Sequence, residues 1–394
     1  MSKQELYKVI EGERQRLLEL NDFIHSNPEL GNQEFEASKR IKKLLSDNNF
    51  DIEENIIGLE TAFIGTWKNH DSEEAPVIGL LCEYDALEGI GHACGHNLQS
   101  PSICGSAIAL SKVLEESEHP VTLKVIGTPA EETTSAKIPM SKEGIFDNLD
   151  IAIMMHGGDR TTVDGKSLAL NLVEFEFTGK AAHAAIAPEQ GISALDALLM
   201  TFNGLEYLRE HIRSDVRIHG IIKHGGVSAN VVPDYALGQF YIRANDRPHL
   251  DEAVERVYNV ARGAALATGA KLNIKVVKSL DNKINVQTLN DLLLKNAEEV
   301  GIPNITPPRE KTGSTDFSLV TYRIPGACLR VSFVPFGTSS HTELMTSMGN
   351  KKEGQEAIIY GAKAISGACY EIVTSPELLK QIKDDFNRNK FANN

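Results

Sequence analysis

Three runs of the chain, "PVIGLLCEYD", "VTLKVIGTPAEE" and "LDIAIMMHGG", are apolar at nearly every position over a strand's length and then stop abruptly in polar residues. A strand with one wet face alternates apolar and polar residues, so uninterrupted runs of this kind belong to strands buried on both faces. Segments with apolar residues at helical spacing stand between and around them: "KQELYKVIEGERQRLLELNDFIH", "FEASKRIKKLLSDNN" and "SPSICGSAIALSKVLEESE", the last with Pro101 placed in its first turn. This alternation predicts an α/β fold built on a mixed, mostly parallel sheet with helices on both faces.

The middle third changes character. "LNLVEFEFTG" alternates like a half-exposed strand and precedes the helical "ISALDALLMTFNGLEYLREHI". Two strand candidates ("VRIHGIIKHGG", "YALGQFYIRAN"), a second helix ("HLDEAVERVYNVARGAALATG") and a last strand ("KLNIKVVKS") follow. Strand–helix–strand–strand–helix–strand is the split βαβ order of a ferredoxin-like α+β domain. A chain of 394 residues is also long for one core. The expected division is therefore a first domain in two parts, 1–167 and 281–394, interrupted by an inserted domain at 168–280.

Composition narrows the functional classes. With 41% hydrophobic and 24% charged residues the chain reads as soluble and globular, and its charge of −14 argues against nucleic acid as a partner. No run approaches the ~18 apolar residues of a membrane span, and the charged opening "MSKQELYKVIEGERQ" lacks a signal-peptide core. The expectation is a cytoplasmic protein without a membrane partner. Five widely spread cysteines, an odd number, point to free thiols rather than a disulfide framework.

In open α/β sheets ligands bind beyond the carboxyl ends of the strands, and those ends hold the chemistry here. The first run leads through Glu83 and Asp85 into "GIGHACGHNLQS", with His92, Cys94 and His96. The second ends in Glu131 and Glu132, the third in His156, and "GACLRVSFVPFGTSSH" in His341. Each alone has an ordinary reading: a strand-end histidine is usually hydrogen-bonded, and a Glu–Glu pair is usually solvated. Together, four strand ends bring cysteine, histidine and carboxylate to one edge, which points to a metal site. The spacing matches no structural zinc ribbon, which would need a second close Cys/His pair.

These stretches, with "GKAAHAAIAPEQGISALDAL", "ANVVPDYALGQFYIRA", "GSTDFS" and "TSSHTELM", resemble the metal-dependent amidohydrolases and peptidases of the aminoacylase and carboxypeptidase G family. They are most similar to its branch of amino-acid-conjugate and aminobenzoyl-glutamate hydrolases. The resemblance implies a zinc-exopeptidase-like catalytic domain and an inserted lid domain that also forms a homodimer or higher oligomer. It implies two divalent ions per subunit, with zinc the first expectation beside manganese, cobalt or nickel, held by Cys94, His96, Glu132, His156 and His341. Cys94 would bridge them as a thiolate. Glu131 would be the general base, taking a proton from the attacking water and returning it to the leaving nitrogen. On extended backbone the neighbouring Glu131 and Glu132 would point to different sides and so divide their roles. His183 would stabilise the oxyanion from across the dimer, while Asn230 and Arg243 would hold the substrate carboxylate. Ser314 and Asp316 would line the floor of the site.

The chain also departs from its relatives. Asn97 follows "CGH" where an aspartate is common, and "TTSAK" follows the acidic pair where glycines are common. Glu83 and Asp85 are not counted as ligands, although Asp85 is placed to orient one. His92 is expected near Cys94 rather than on the metal. The activity expected is hydrolysis of an amide bond next to a free carboxylate, in an N-acyl amino acid, a dipeptide or a glutamate conjugate. The competing reading is a non-catalytic amino-acid or peptide binder on the same fold; a redox or metal-storage role for Cys94 is a third.

Overall fold

A computed structural model describes residues 2–163, 165–308 and 313–392. The chain separates into two compact units. The first comprises the described residues up to 166, those from 284 to 308, and those from 319 to 392. Its centre is a seven-stranded sheet of β1 (Asp51–Ile56), β2 (Leu59–Lys68), β3 (Val77–Cys82), β4 (Thr122–Gly127), β5 (Ile151–Gly158), β6 (Thr162–Val163) and β11 (Gly326–Ser332). The strand order is β1-β2-β4-β3-β5-β11-β6. The inner neighbours β4, β3, β5 and β11 run parallel, and β1, β2 and β6 are antiparallel to theirs.

The apolar runs occupy the parallel centre, as expected. Every residue from Ile78 to Cys82 is buried. Ile78, Leu80 and Cys82 join a large core with α1 (Lys3–Ser26), α2 (Phe35–Ser46), α3 (His96–Leu114) and the helix Lys352–Thr374. On the opposite face a side chain at Gly79 would strike Leu149. α1 is held through Leu6, Ile10, Leu17, Leu20 and Ile24, spaced to form one buried stripe. A capping box between Ser2 and Glu5 closes its first turn.

α3 begins earlier than its pattern suggests. It starts at His96 and not at Ser100, so Pro101 lies inside the helix rather than in its first turn. Gly95 sits before it at φ 81°, a left-handed conformation that a side chain disfavours. That turn delivers Cys94 and His96 on either side of the helix start.

The second unit comprises 167–283 together with 313–318. β7 (Ala169–Thr178), β8 (Arg217–His224), β9 (Tyr235–Ala244) and β10 (Lys271–Leu280) form an antiparallel sheet in the order β10-β7-β9-β8, the ferredoxin-like arrangement. Val173, Phe175 and Phe177 of β7 and Phe240 and Ile242 of β9 pack with Leu198, Leu250, Val254 and Val257 from the helices Ala194–Arg209 and Arg247–Thr268. Ser193 and Asp246 cap those helices through the backbone N–H groups of Asp196 and His249. Residues 313–318 were expected with the C-terminal part of the first domain. They cluster with this unit instead, where Leu168 N donates to the Gly313 carbonyl at 2.9 Å.

Packing around Gly157, just behind the metal-capable edge, is tight. Phe333 is 2% exposed, and a Cβ at Gly157, next to His156, would stand 2.6 Å from its ring and 3.1 Å from Leu98. Gly157→Ala should therefore destabilise the protein by about 1–3 kcal/mol. Urea unfolding monitored by far-UV circular dichroism measures this, and an unchanged midpoint would show that Phe333 yields freely.

Candidate metal centre

Six predicted residues from four strand ends meet within the first unit. Cys94, His96 and His156 bring their ligand atoms within 4.8 Å of one another, and so do Cys94, Glu132 and His341. A third group joins His96 with Glu131 and Glu132. Cys94 is common to the first two groups. Its Sγ lies 3.6 Å from His156 Nε2, and His341 Nε2 lies 3.2 Å from Glu132 Oε1. His341 adopts φ 62°, uncommon for a residue with a side chain, and its N–H donates to the Ala93 carbonyl at 3.0 Å. That bond fastens the His341 loop to the loop that carries Cys94.

The acidic pair does not follow its expected geometry. Glu131 and Glu132 lie in a turn rather than on extended backbone, after Ala130 at φ 61°. Their carboxylates converge with His96 instead of pointing to opposite sides. Two buried carboxylates hold the turn. Glu34 Oε1 accepts from Ala130 N at 2.8 Å, and Asp85 Oδ2 accepts from Glu132 N at 2.9 Å. Asp85 Oδ1 also lies 3.1 Å from His96 Nδ1, so its one carboxylate orients a candidate ligand and fixes the acidic loop.

Burial and close contact move the ionisable groups of the site far from their ordinary ranges. Burial pushes the Cys94 thiol up to about 12, so a thiolate there requires positive charge beside it. Burial pulls His156 down to about 3, helped by Arg330 and His96. His96 feels the same burial, but Cys94 and Asp85 outweigh it and hold the imidazole well above its usual range. Glu83 is buried too, yet Lys137, His96 and His156 hold it down at about 2. His96 Nε2 and Glu132 Oε1 are buried and make no hydrogen bond among the described residues, although Glu83 Oε2 and His341 Nε2 stand 3.3 Å and 3.2 Å from them. With Nδ1 of His96 engaged by Asp85, these two atoms and one thiol form a mixed sulfur, nitrogen and oxygen donor set. Such a set fits a divalent transition-metal ion.

Asn97 has a structural explanation. Its Nδ2 donates to Asn21 Oδ1 at 2.8 Å and to the Gly349 carbonyl at 3.1 Å. An aspartate has no N–H to offer either acceptor, so the amide suits the junction of α1, α3 and the Gly349 loop. His92 is 1% exposed and belongs to none of the three donor groups found among the described residues.

The remaining predicted residues belong to the second unit. His183 and Asn230 lie on paired segments: His183 bridges Val231, and Ala184 N donates to the Asn230 carbonyl at 3.0 Å. Both side chains are exposed. Arg243 stands on the less buried face of β9 with its guanidinium 4.7 Å from the Tyr241 ring centre. The Ser314 hydroxyl is buried without a hydrogen-bond partner among the described residues, and Asp316 is buried.

Sequence reasoning passed over three supporting groups. Gln99 and Ser100 follow His96 by three and four residues, the spacing that puts helix residues on one face. Gln99 Nε2 donates to Glu83 Oε2 at 2.7 Å, and Ser100 Oγ donates to the Glu83 carbonyl at 3.2 Å. That periodicity was a usable signal. Glu34 immediately precedes α2 and so reads as a helix-start residue. Nothing in the local pattern marks Lys137.

The fold and this donor set define an α/β protein that gathers residues able to hold metal beyond the ends of its parallel strands. Comparison with known proteins specifies the class. Peptidase family M20/M25/M40 matches residues 77–365. A mouse Xaa-Arg dipeptidase is 33% identical over 387 residues, covering 94% of this chain and 89% of its own. A p-aminobenzoyl-glutamate hydrolase chain of Escherichia coli is 33% identical over 323 residues, covering 76% of this chain and 66% of its own. Among solved structures, an M20 dinuclear metal-binding peptidase of Bacillus subtilis shares the fold with a TM-score of 0.70 at 21% identity, covering 92% of this chain and 99% of its own. The chain belongs to peptidase family M20/M25/M40. It is a metal-dependent hydrolase of amide bonds.

Glu34 provides a check on the loop architecture. Burial, with Asp85 nearby, pushes its carboxyl up to about 7 from an ordinary 4.5. The folded state therefore keeps the proton that the unfolded state releases, and wild-type stability falls as pH rises from 4.5 to 7. Glu34→Gln preserves an acceptor for Ala130 N without the charge. Its stability relative to wild type should grow across that window by on the order of 3 kcal/mol. Denaturation at stepped pH reads this directly, and a pH-independent difference would remove the titrating role of Glu34.

Proposed function

We propose that this enzyme cleaves the amide bond next to a free carboxylate in a dipeptide or N-acyl amino acid, using two divalent ions. Cys94, His96, Glu132, His156 and His341 would hold them, with Cys94 as a thiolate common to both donor groups. The observation that carries this reading is the sharing of Cys94 by two donor groups, with the Glu131 carboxylate beside them. Zinc suits the thiolate and imidazoles, while the carboxylate oxygens also suit manganese. When bound, the ions polarise the scissile carbonyl and lower the pKa of the attacking water.

The chain's own groups do the rest. Glu131 accepts the proton of that water and passes it to the leaving nitrogen. Asp85 fixes the ring of His96 through Nδ1 and the acidic turn through Glu132 N, so base and ligands keep one geometry. His183, exposed on the second unit, donates to the oxyanion from a partner subunit. Arg243 presents a guanidinium suited to a carboxylate, Asn230 assists it, and Ser314 lines the substrate site. The relatives named Xaa-Arg dipeptidase and p-aminobenzoyl-glutamate hydrolase support a substrate that ends in a free carboxylate. Among the described residues no helix is long and apolar enough to cross a membrane, which is compatible with a cytoplasmic site of action.

The test is a panel of Xaa-Arg and other dipeptides, p-aminobenzoyl-glutamate and N-acetyl amino acids, assayed after reconstitution with zinc or manganese. Glu131→Gln should lower kcat by roughly 10²–10⁴-fold while metal content stays at the wild-type level. Wild-type activity in that variant would remove Glu131 as the base. Loss of turnover on every member of the panel by the metal-loaded wild type would favour a binding role instead.

His183 is tested separately. His183→Ala should cost roughly 10²–10³-fold in kcat, the scale of one oxyanion donor. Verified mixed dimers with the Glu131→Gln chain should regain part of the activity, because one of their sites combines an intact Glu131 with the partner's intact histidine. Mixed dimers that stay inactive would rule out a contribution across the dimer.

A further inference from the structure

A buried ion pair beside the proposed ligands is not used by the proposed reaction. Lys137 opens the helix Lys137–Lys142, and its side chain is fully buried. Its Nζ donates to Glu83 Oε1 at 2.5 Å. The other oxygen, Oε2, accepts from Gln99 Nε2 at 2.7 Å and lies 3.3 Å from His96 Nε2. That His96 atom is the one left for a metal, because Nδ1 is engaged by Asp85. Two donors on one ion, each bonded at roughly 2.0–2.2 Å, stand a little over 3 Å apart. Glu83 therefore stands at co-ligand distance from His96, yet its charge is committed to an internal ammonium.

An unpaired carboxylate in this position would be costly. It is 2% exposed, and a buried charge must find a counter-charge. In this chain the counter-charge is built in, so Glu83 is neutralised without a metal. Hard carboxylate oxygens favour manganese and magnesium, whereas thiolate and imidazole favour zinc. Whether Glu83 joins the donor set therefore bears on which ion the site prefers.

We propose that Lys137 is a metal-selectivity determinant: by holding Glu83 in a buried ion pair it withholds an oxygen ligand from the centre formed by Cys94, His96 and His156. The inference rests on those three residues holding metal. Lys137 acts through Glu83 and is a positioning residue, not a catalytic one. The arrangement keeps the site poorer in oxygen than its sequence would allow.

The test uses the full chain stripped of metal, with zinc and manganese affinities measured by competition against fluorescent chelators. Lys137→Met replaces the ammonium with an uncharged chain of similar length. It should raise manganese affinity relative to zinc by roughly tenfold or more. The double variant Glu83→Gln/Lys137→Met should return that ratio to the wild-type value. Equal gains for both ions would reveal a general charge effect and overturn the selectivity role, as would a shifted ratio that persists in the double variant. Glu83→Gln alone serves if Lys137→Met does not fold. The ratio should then stay at the wild-type value, and a selective loss of manganese would show that Glu83 is already a ligand, which overturns the proposal. Wild-type chain that takes up neither ion would remove the metal centre itself, an outcome distinct from binding with an unaltered ratio.

Discussion

The candidate site depends on the Asp85 carboxylate, buried just beyond the end of β3. One oxygen stands 3.1 Å from His96 Nδ1 and the other accepts from Glu132 N at 2.9 Å. The first fixes which imidazole nitrogen faces the centre. The second sets the turn that carries Glu131 and Glu132. A single buried side chain thus couples the start of α3 to the loop after β4. Glu34 repeats the device from the start of α2 by accepting from Ala130 N. Positions that catalysis would use are therefore set by carboxylates that need not touch a substrate.

This concentration of negative charge has an electrostatic consequence. Glu34, Glu83, Asp85, Glu131 and Glu132 crowd one sheet edge, and most of them are removed from water. Where a buried ammonium is available, as Lys137 is to Glu83, the carboxylate stays well below its ordinary range. At Glu34, with no such counter-charge among the described residues, burial drives the carboxyl up to about 7. The Cys94 thiol, pushed to about 12, belongs to the second kind. A bound metal ion would resolve the conflict, and the chain belongs to a family of metal-dependent peptidases.

The fold was legible where burial writes itself into composition. Strands buried on both faces are apolar at nearly every position, so β3 and β5 announced both themselves and their parallel arrangement, while β4 is half-buried at Thr122 and Lys124. The inserted unit was legible from the order of its elements. Helix α3 was read short because the glycine-bounded "HACGHN" resembles a loop, although its last residues begin the helix. The supporting groups were harder to see. Lys137 sits 54 residues from Glu83, and Glu34 sits 96 from Ala130, and no local period connects such pairs.

By itself, then, the sequence determined which residue types end each strand, and hence that cysteine, histidine and carboxylate share one edge. The tertiary structure decided how they share it. Adjacent glutamates converge on His96 because Ala130 takes a left-handed turn held by Glu34 and Asp85. Asn97 is an amide because two acceptors from distant segments meet it. Glu83 is paired to an ammonium that only folding brings near. Strand chemistry is local and can be read along the chain, whereas pairing of buried charges depends on which distant segments exclude water together.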